Sequence, residues 1–88
     1  MQHEPTWHVQ IDFAEEEDRT RADAILMLGG RRFHGWGRAK RSPGDPDVPV
    51  IGEELAAARA LSELSHQLLD AAASRIEQSE GHPVTFHR

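Results

Sequence analysis

Arg32, His34, Trp36, Arg38 and Lys40 occupy every second position of one ten-residue stretch, so an extended backbone would set all five on one face. Arginine and lysine neutralise phosphate oxygens, and an exposed indole offers a flat surface on which a base stacks. These residue types at this spacing therefore suit contact with RNA. Arg19 and Arg21 precede the row and Arg41 follows it. Residues 19–41 hold seven of the ten Lys and Arg against a single acid, Asp23. Residues 1–18 carry six acids and no Lys or Arg, and the whole chain has a net charge of −5. Such a chain is not an indiscriminate binder of nucleic acid, since its positive charge is confined to one hairpin. The same row also reads as a solvated or protein-facing surface, with Arg19 and Arg21 muted by the acidic run Glu15–Asp18 or the hairpin meeting an acidic protein.

Other chemistry is sparse. Gly35-x-Gly37 lacks the third glycine of a dinucleotide loop and lies inside a strand pattern, so it reads as a packing feature. The six histidines show no metal-ligand spacing, and cysteine is absent. The serines have no nucleophile-elbow context. No catalytic residue, metal, cofactor or small-molecule substrate is expected. The N-terminal ten residues lack the pattern of an export signal, and no run approaches the ~18 apolar residues of a membrane span. A cytoplasmic protein without a membrane partner is expected.

The elements that would hold the basic row follow from hydrophobic periodicity. At 88 residues the chain is a single domain with a modest core, 38% of it apolar. Trp7, Val9, Ile11 and Phe13 alternate with polar neighbours and predict a strand over about 6–13, ended by the acidic run. Ala22, Ala24, Leu26 and Leu28 predict the inward side of a second strand over 20–28. Gly29-Gly30 is a hairpin turn, because glycine accepts the positive φ of a type I′ turn. A third strand over 31–40 points Phe33, Gly35, Gly37 and Ala39 inward. The proline-rich stretch 41–50 is a loop, and a helix follows over about 51–79, ended by Gly81 and Pro83. Glu53 and Glu54 would sit in its first turn, and Val84 and Phe86 would dock the tail.

The helix carries two apolar stripes. Ile51, Leu55, Ala58, Leu69 and Ile76 form one, and Leu61, Leu64 and Leu68 the other. The combined arc is about twice the ~100° a helix needs on one sheet. Its length of ~42 Å also exceeds the ~27 Å of an eight-residue strand. A homodimer burying Leu61, Leu64 and Leu68 is therefore expected. The fold class is α+β: a three-stranded antiparallel sheet on one long C-terminal helix, in the order β-β-β-α.

The stretches Thr20-Arg21-Ala22-Asp23-Ala24, Gly35-Trp36-Gly37-Arg38-Ala39-Lys40 with Pro43 and Asp45, Ile51 through Leu64, Ile76-Glu77 and His82-Pro83-Val84 carry a likeness. The chain resembles a family of small actinobacterial proteins of unknown function whose members include dormancy- and hypoxia-associated proteins. That resemblance implies a fold similar to double-stranded-RNA-binding domains, and dimers that look like ribosome hibernation-promoting factors in shape and charge. It supplies no catalytic residues. Trp36 and Lys40 depart from the aliphatic residue and the Arg that the family tends to carry there. Glu53 and Glu54 stand where double-stranded-RNA-binding domains place lysines, so binding would use the sheet or a dimer groove instead.

Overall fold

The computed structural model describes residues 4–83 and Thr85 of the chain. Three antiparallel strands, β1 (Val9–Glu16), β2 (Arg19–Leu28) and β3 (Arg31–Lys40), form one sheet in chain order, and a single long helix, α1 (Pro49–Glu80), lies across one face. This is the expected β-β-β-α architecture. Both hairpins close through two residues, at Glu17-Asp18 and at Gly29-Gly30, with Glu17, Gly29 and Gly30 at positive φ.

β1 begins and ends about three residues later than its apolar alternation suggests. Glu15 and Glu16 continue the strand opposite Thr20 and Arg19, because Glu17 and Asp18 suffice for the turn. The helix starts at Pro49 rather than 51: proline tolerates the first helical position, where no intrahelical N–H bond is needed. Glu53 and Glu54 therefore lie beyond the first turn, which holds no acid. Gly81 adopts the left-handed conformation at the C-terminal end and donates its N–H to the Glu77 carbonyl at 2.7 Å. The tail positions Val84 and Phe86 lie outside the described residues.

The core is thin. Its buried members are Ala22, Ala24, Leu26, Phe33, Ala39, Ala56, Ala60 and Leu64, mostly alanines. Alanine predominates because the helix comes very close. A Cβ on Gly37 would stand 2.5 Å from the Ala60 nitrogen and 2.7 Å from the Ala56 oxygen, and one on Gly35 would meet the Ala60 carbonyl and the Leu64 nitrogen. Two glycines thus let the sheet touch helix backbone, and only small side chains fit beside that contact.

This close approach overturns the expected helix orientation. The stripe facing the sheet is Ala56, Ala60 and Leu64, whereas Ile51 and Leu55 are 43% and 46% exposed. Leu64, expected at a dimer interface, is buried against its own sheet, and Leu68 packs on the same core. Of that stripe Leu61 alone stays exposed.

Candidate nucleic-acid interface

Strand alternation places Arg32, His34, Trp36, Arg38 and Lys40 of β3 on the face away from the helix, as their odd-numbered neighbours Phe33, Gly35, Gly37 and Ala39 are buried beneath it. Pairing with β2 then fixes the outer face rung by rung. Arg19 lies opposite Lys40, Arg21 opposite Arg38, Asp23 opposite Trp36, Ile25 opposite His34, and Met27 opposite Arg32. The first two rungs set like charges across from each other, an arrangement that works against the sheet rather than for it. Like charge crowded on an exposed face favours an anionic visitor.

Trp36 stands at the middle of this face, 44% exposed. The guanidinium carbons of Arg21 and Arg38 lie 4.7 Å and 5.5 Å from its ring centroid, within cation–π range. The indole is therefore oriented by two cations and still open to solvent.

Asp23 organises the second strand's contribution. Its carboxylate accepts two hydrogen bonds from Arg21, at 3.1 Å and 3.0 Å, and contacts His34 Nε2 at 2.6 Å. Arg21 and then His34 hold the Asp23 carboxyl below its ordinary value, outweighing the opposing effect of burial. Asp23 also draws up the proton affinity of the Arg21 guanidinium through the same hydrogen bonds. Arg21 thus finds its acid within the face; among the described residues no ion pair ties Arg19 or Arg21 to the Glu15–Asp18 turn. Asp23 and His34 belong to the site although neither carries the basic signal. Asp23 is passed over as a site residue when the sequence is read alone; the signal that could have marked it is the two-residue turn at Gly29-Gly30, which sets it opposite Trp36.

Arg41 stands apart from the row. It follows β3, donates its backbone N–H to the Asp18 carbonyl at 2.7 Å, and turns its guanidinium toward Asp45 and Asp47. Arg31, at the start of β3 and outside the row, covers the Phe33 ring with its guanidinium at 5.0 Å. Near Arg41, an open cleft between the strand ends and the start of α1 carries charges of both signs, with Glu15, Asp18, Arg19, Lys40 and Asp47 among its walls. At the same end the protonated Glu53 carboxyl can donate a hydrogen bond to Glu15, which holds Glu53 above its ordinary value. No helix among the described residues is long and apolar enough to cross a membrane.

A single small antiparallel sheet backed by one long helix, with an arginine-flanked tryptophan on its open face, defines a small α+β protein class. The family model described as Rv2632c-like matches residues 5–85, and the chain belongs to that family. The uncharacterised protein Rv2632c of Mycobacterium tuberculosis strain H37Rv is 45% identical over 80 residues, covering 91% of this chain and 86% of that protein. A second uncharacterised relative, Mb1767 of Mycobacterium bovis, is 40% identical over 78 residues, covering 89% and 83%. The crystal structure of Rv2632c superposes with a TM-score of 0.84 at 41% identity, covering 93% of this chain and 98% of that one.

Proposed function

We propose that the chain is a non-enzymatic, homodimeric, cytoplasmic protein that contacts RNA through the outer face of its sheet, with the ribosome under stress or dormancy as the setting. The observation that carries this reading is Trp36: exposed, oriented by Arg21 and Arg38, and bordered along β3 by Arg32 and Lys40. Exposed aromatics set among cations engage bases and phosphates at once, and stacking tolerates any sequence. The resemblance to hibernation-promoting factors and to double-stranded-RNA-binding domains directs the proposal toward structured RNA. Binding at the start of the helix is disfavoured, because Glu53 and Glu15 already crowd negative charge there.

The test is sedimentation of native lysate on sucrose gradients at low and moderate salt, with the protein followed by antibody. Migration with ribosomal particles, released by salt and lost on changing Arg32, Arg38 and Lys40 together to Glu, is the expected result. Unchanged co-sedimentation of that folded variant, or confinement of the wild type to the light fractions, would refute RNA contact through this face. Association that survives nuclease would identify a protein partner instead.

A further inference from the structure

The outer face of the sheet changes charge strand by strand. β3 presents Arg32, Arg38 and Lys40, with His34 and Trp36 between them and no acid. β2 presents Arg19 and Arg21 against Asp23. The register of β1 with β2 sets Gln10, Asp12, Ala14 and Glu16 on the same face, so β1 presents two acids and no cation. Asp12 accepts a hydrogen bond from the Gln10 side chain at 2.9 Å, a neutral partner that leaves its charge in place. Among the described residues neither Asp12 nor Glu16 is drawn into an ion pair, although Glu16 stands across from Arg19. The positive strip is therefore about two strands wide, roughly 5–10 Å, with an anionic margin along one side. On the other side Arg59 reaches from the helix to the Arg38 carbonyl, so the strip stays cationic to the β3 edge.

Alternate residues of a strand repeat at ~6.7 Å, close to the separation of successive phosphates along an extended single strand of RNA. Arg32 to Lys40 thus forms a track ~27 Å long for one backbone. Across the track there is room for one backbone only. A-form RNA carries two phosphate strands on either side of a wide, shallow minor groove. Laid over the sheet with one strand on β3, a duplex sets the other toward β1, where Asp12 and Glu16 repel it. Shifted the other way, past β3, it leaves Trp36 beneath a backbone. Trp36 is the second, independent constraint. Its ring is 44% exposed in the middle of the strip and can stack only on the face of a base. A duplex hides those faces in its own stack and shows base edges alone, whereas an unpaired nucleotide turns a face outward.

We infer that this face selects unpaired RNA, the loops, bulges and ends of a structured RNA, and that Asp12 and Glu16 are the residues that exclude the duplex. This rests on the RNA contact of the proposed function and names the form of RNA that it takes. One backbone runs along β3 with its phosphates at Arg32, Arg38 and Lys40, and one base lies on Trp36. The β1 acids confine that backbone to its track and turn away a second one. Specificity commonly needs such a repulsive element beside the attractive one.

The experiment is fluorescence anisotropy of the full chain with a labelled RNA of about twelve nucleotides, used alone and annealed to its complement at low salt. Wild type is expected to bind the single strand at least tenfold more tightly than the duplex. Asp12→Lys/Glu16→Lys, with its folding checked by circular dichroism, is expected to raise duplex affinity at least tenfold and single-strand affinity less than threefold. Asp12→Asn/Glu16→Gln keeps the shape of both side chains and removes only charge. It is expected to narrow the preference in the same direction by a smaller factor. Trp36→Leu is expected to weaken single-strand binding and leave duplex binding unchanged. A wild type that binds the duplex as tightly as the single strand would overturn the selection while RNA contact stands. A single-strand preference that both β1 variants preserve would overturn the role of Asp12 and Glu16. Binding of neither form at low salt would overturn the proposed function itself, and the selection with it.

Discussion

Gln67 clamps His34 by its main chain: the His34 N–H donates to Oε1 at 3.2 Å while Nε2 donates to the His34 carbonyl at 2.5 Å. One helix side chain thereby replaces a neighbouring strand at the point where β3 would otherwise offer a bare edge. The same residue presents its imidazole to Asp23 on the opposite face, so the clamp also sets the position of the outer-face cluster. Replacing Gln67 with Leu keeps the volume and removes both bonds. The expected loss is about 1–3 kcal/mol, the cost of leaving half-buried backbone groups unsatisfied. Urea unfolding measures it, and amide exchange at His34 should speed up more than at Ala24.

Gly37 lies under the helix where Ala56 and Ala60 cross the sheet. Because the atoms that would meet a Cβ there are mostly helix backbone, no side-chain rotation relieves the contact. Gly37→Ala is expected to destabilise by about 1–3 kcal/mol or more through overpacking. Gly44→Ala provides a contrast: it meets nothing within 4 Å, and its cost comes only from a φ of +92°. Thermal melts of the two variants separate steric from conformational cost.

The strands were largely legible because a period of two leaves little choice once one face is buried. Ala22 to Leu28 and Phe33 to Ala39 point inward as alternation requires, and Gly29-Gly30 fixes their register. The helix was misjudged for a physical reason. Large apolar residues such as Ile51 and Leu55 pointed to a core stripe, but Gly35 and Gly37 draw the backbones so close that only Ala56, Ala60 and Leu64 fit between them. The glycines and the alanines were both visible in the chain; their pairing decides which stripe wins. Asp23 escaped notice as a site residue because an isolated acid among arginines registers only as reduced charge. Its role depends on distances to Arg21 and His34 that periodicity does not supply.

Two carboxyls should give opposite pH slopes. Asp23 is held below its ordinary value of 3.8, first by Arg21 and then by His34. Its contribution is therefore fully present above that value and fades as pH falls through the lower folded-state value. Asp23→Asn is expected to lower the melting temperature at pH 7, with the difference from wild type shrinking below pH ~4. Glu53 is raised above its ordinary value of 4.5, chiefly by its contact with Glu15. The folded state then favours its protonated form, so stability rises as pH falls through the folded value. Glu53→Gln is expected to raise the melting temperature at pH 7 and to converge on wild type in acid. Both effects are small, since these side chains meet solvent. Melting temperatures from pH 3 to 8 for the three proteins decide the signs.

Trp36 and Arg38 should affect RNA binding in different ways, because one offers a stacking surface and the other a charge. Trp36→Leu keeps an apolar β-strand residue on the outer face but removes the ring between the Arg21 and Arg38 guanidiniums. The expected loss is about 1–3 kcal/mol per stacked base, and the salt slope of log K should remain as in wild type. Arg38→Ala should weaken binding and also flatten that slope, by about 0.7 for one single-strand phosphate contact. Arg59 bonds only the Arg38 carbonyl, so truncating the Arg38 side chain leaves the β3 edge closed and the fold intact. Fluorescence anisotropy with a labelled single-stranded RNA, titrated at several salt concentrations, reads both quantities. Equal slopes for Arg38→Ala and wild type would remove phosphate contact from Arg38. Unchanged affinity for Trp36→Leu would mean that the indole is held by its arginines for packing alone.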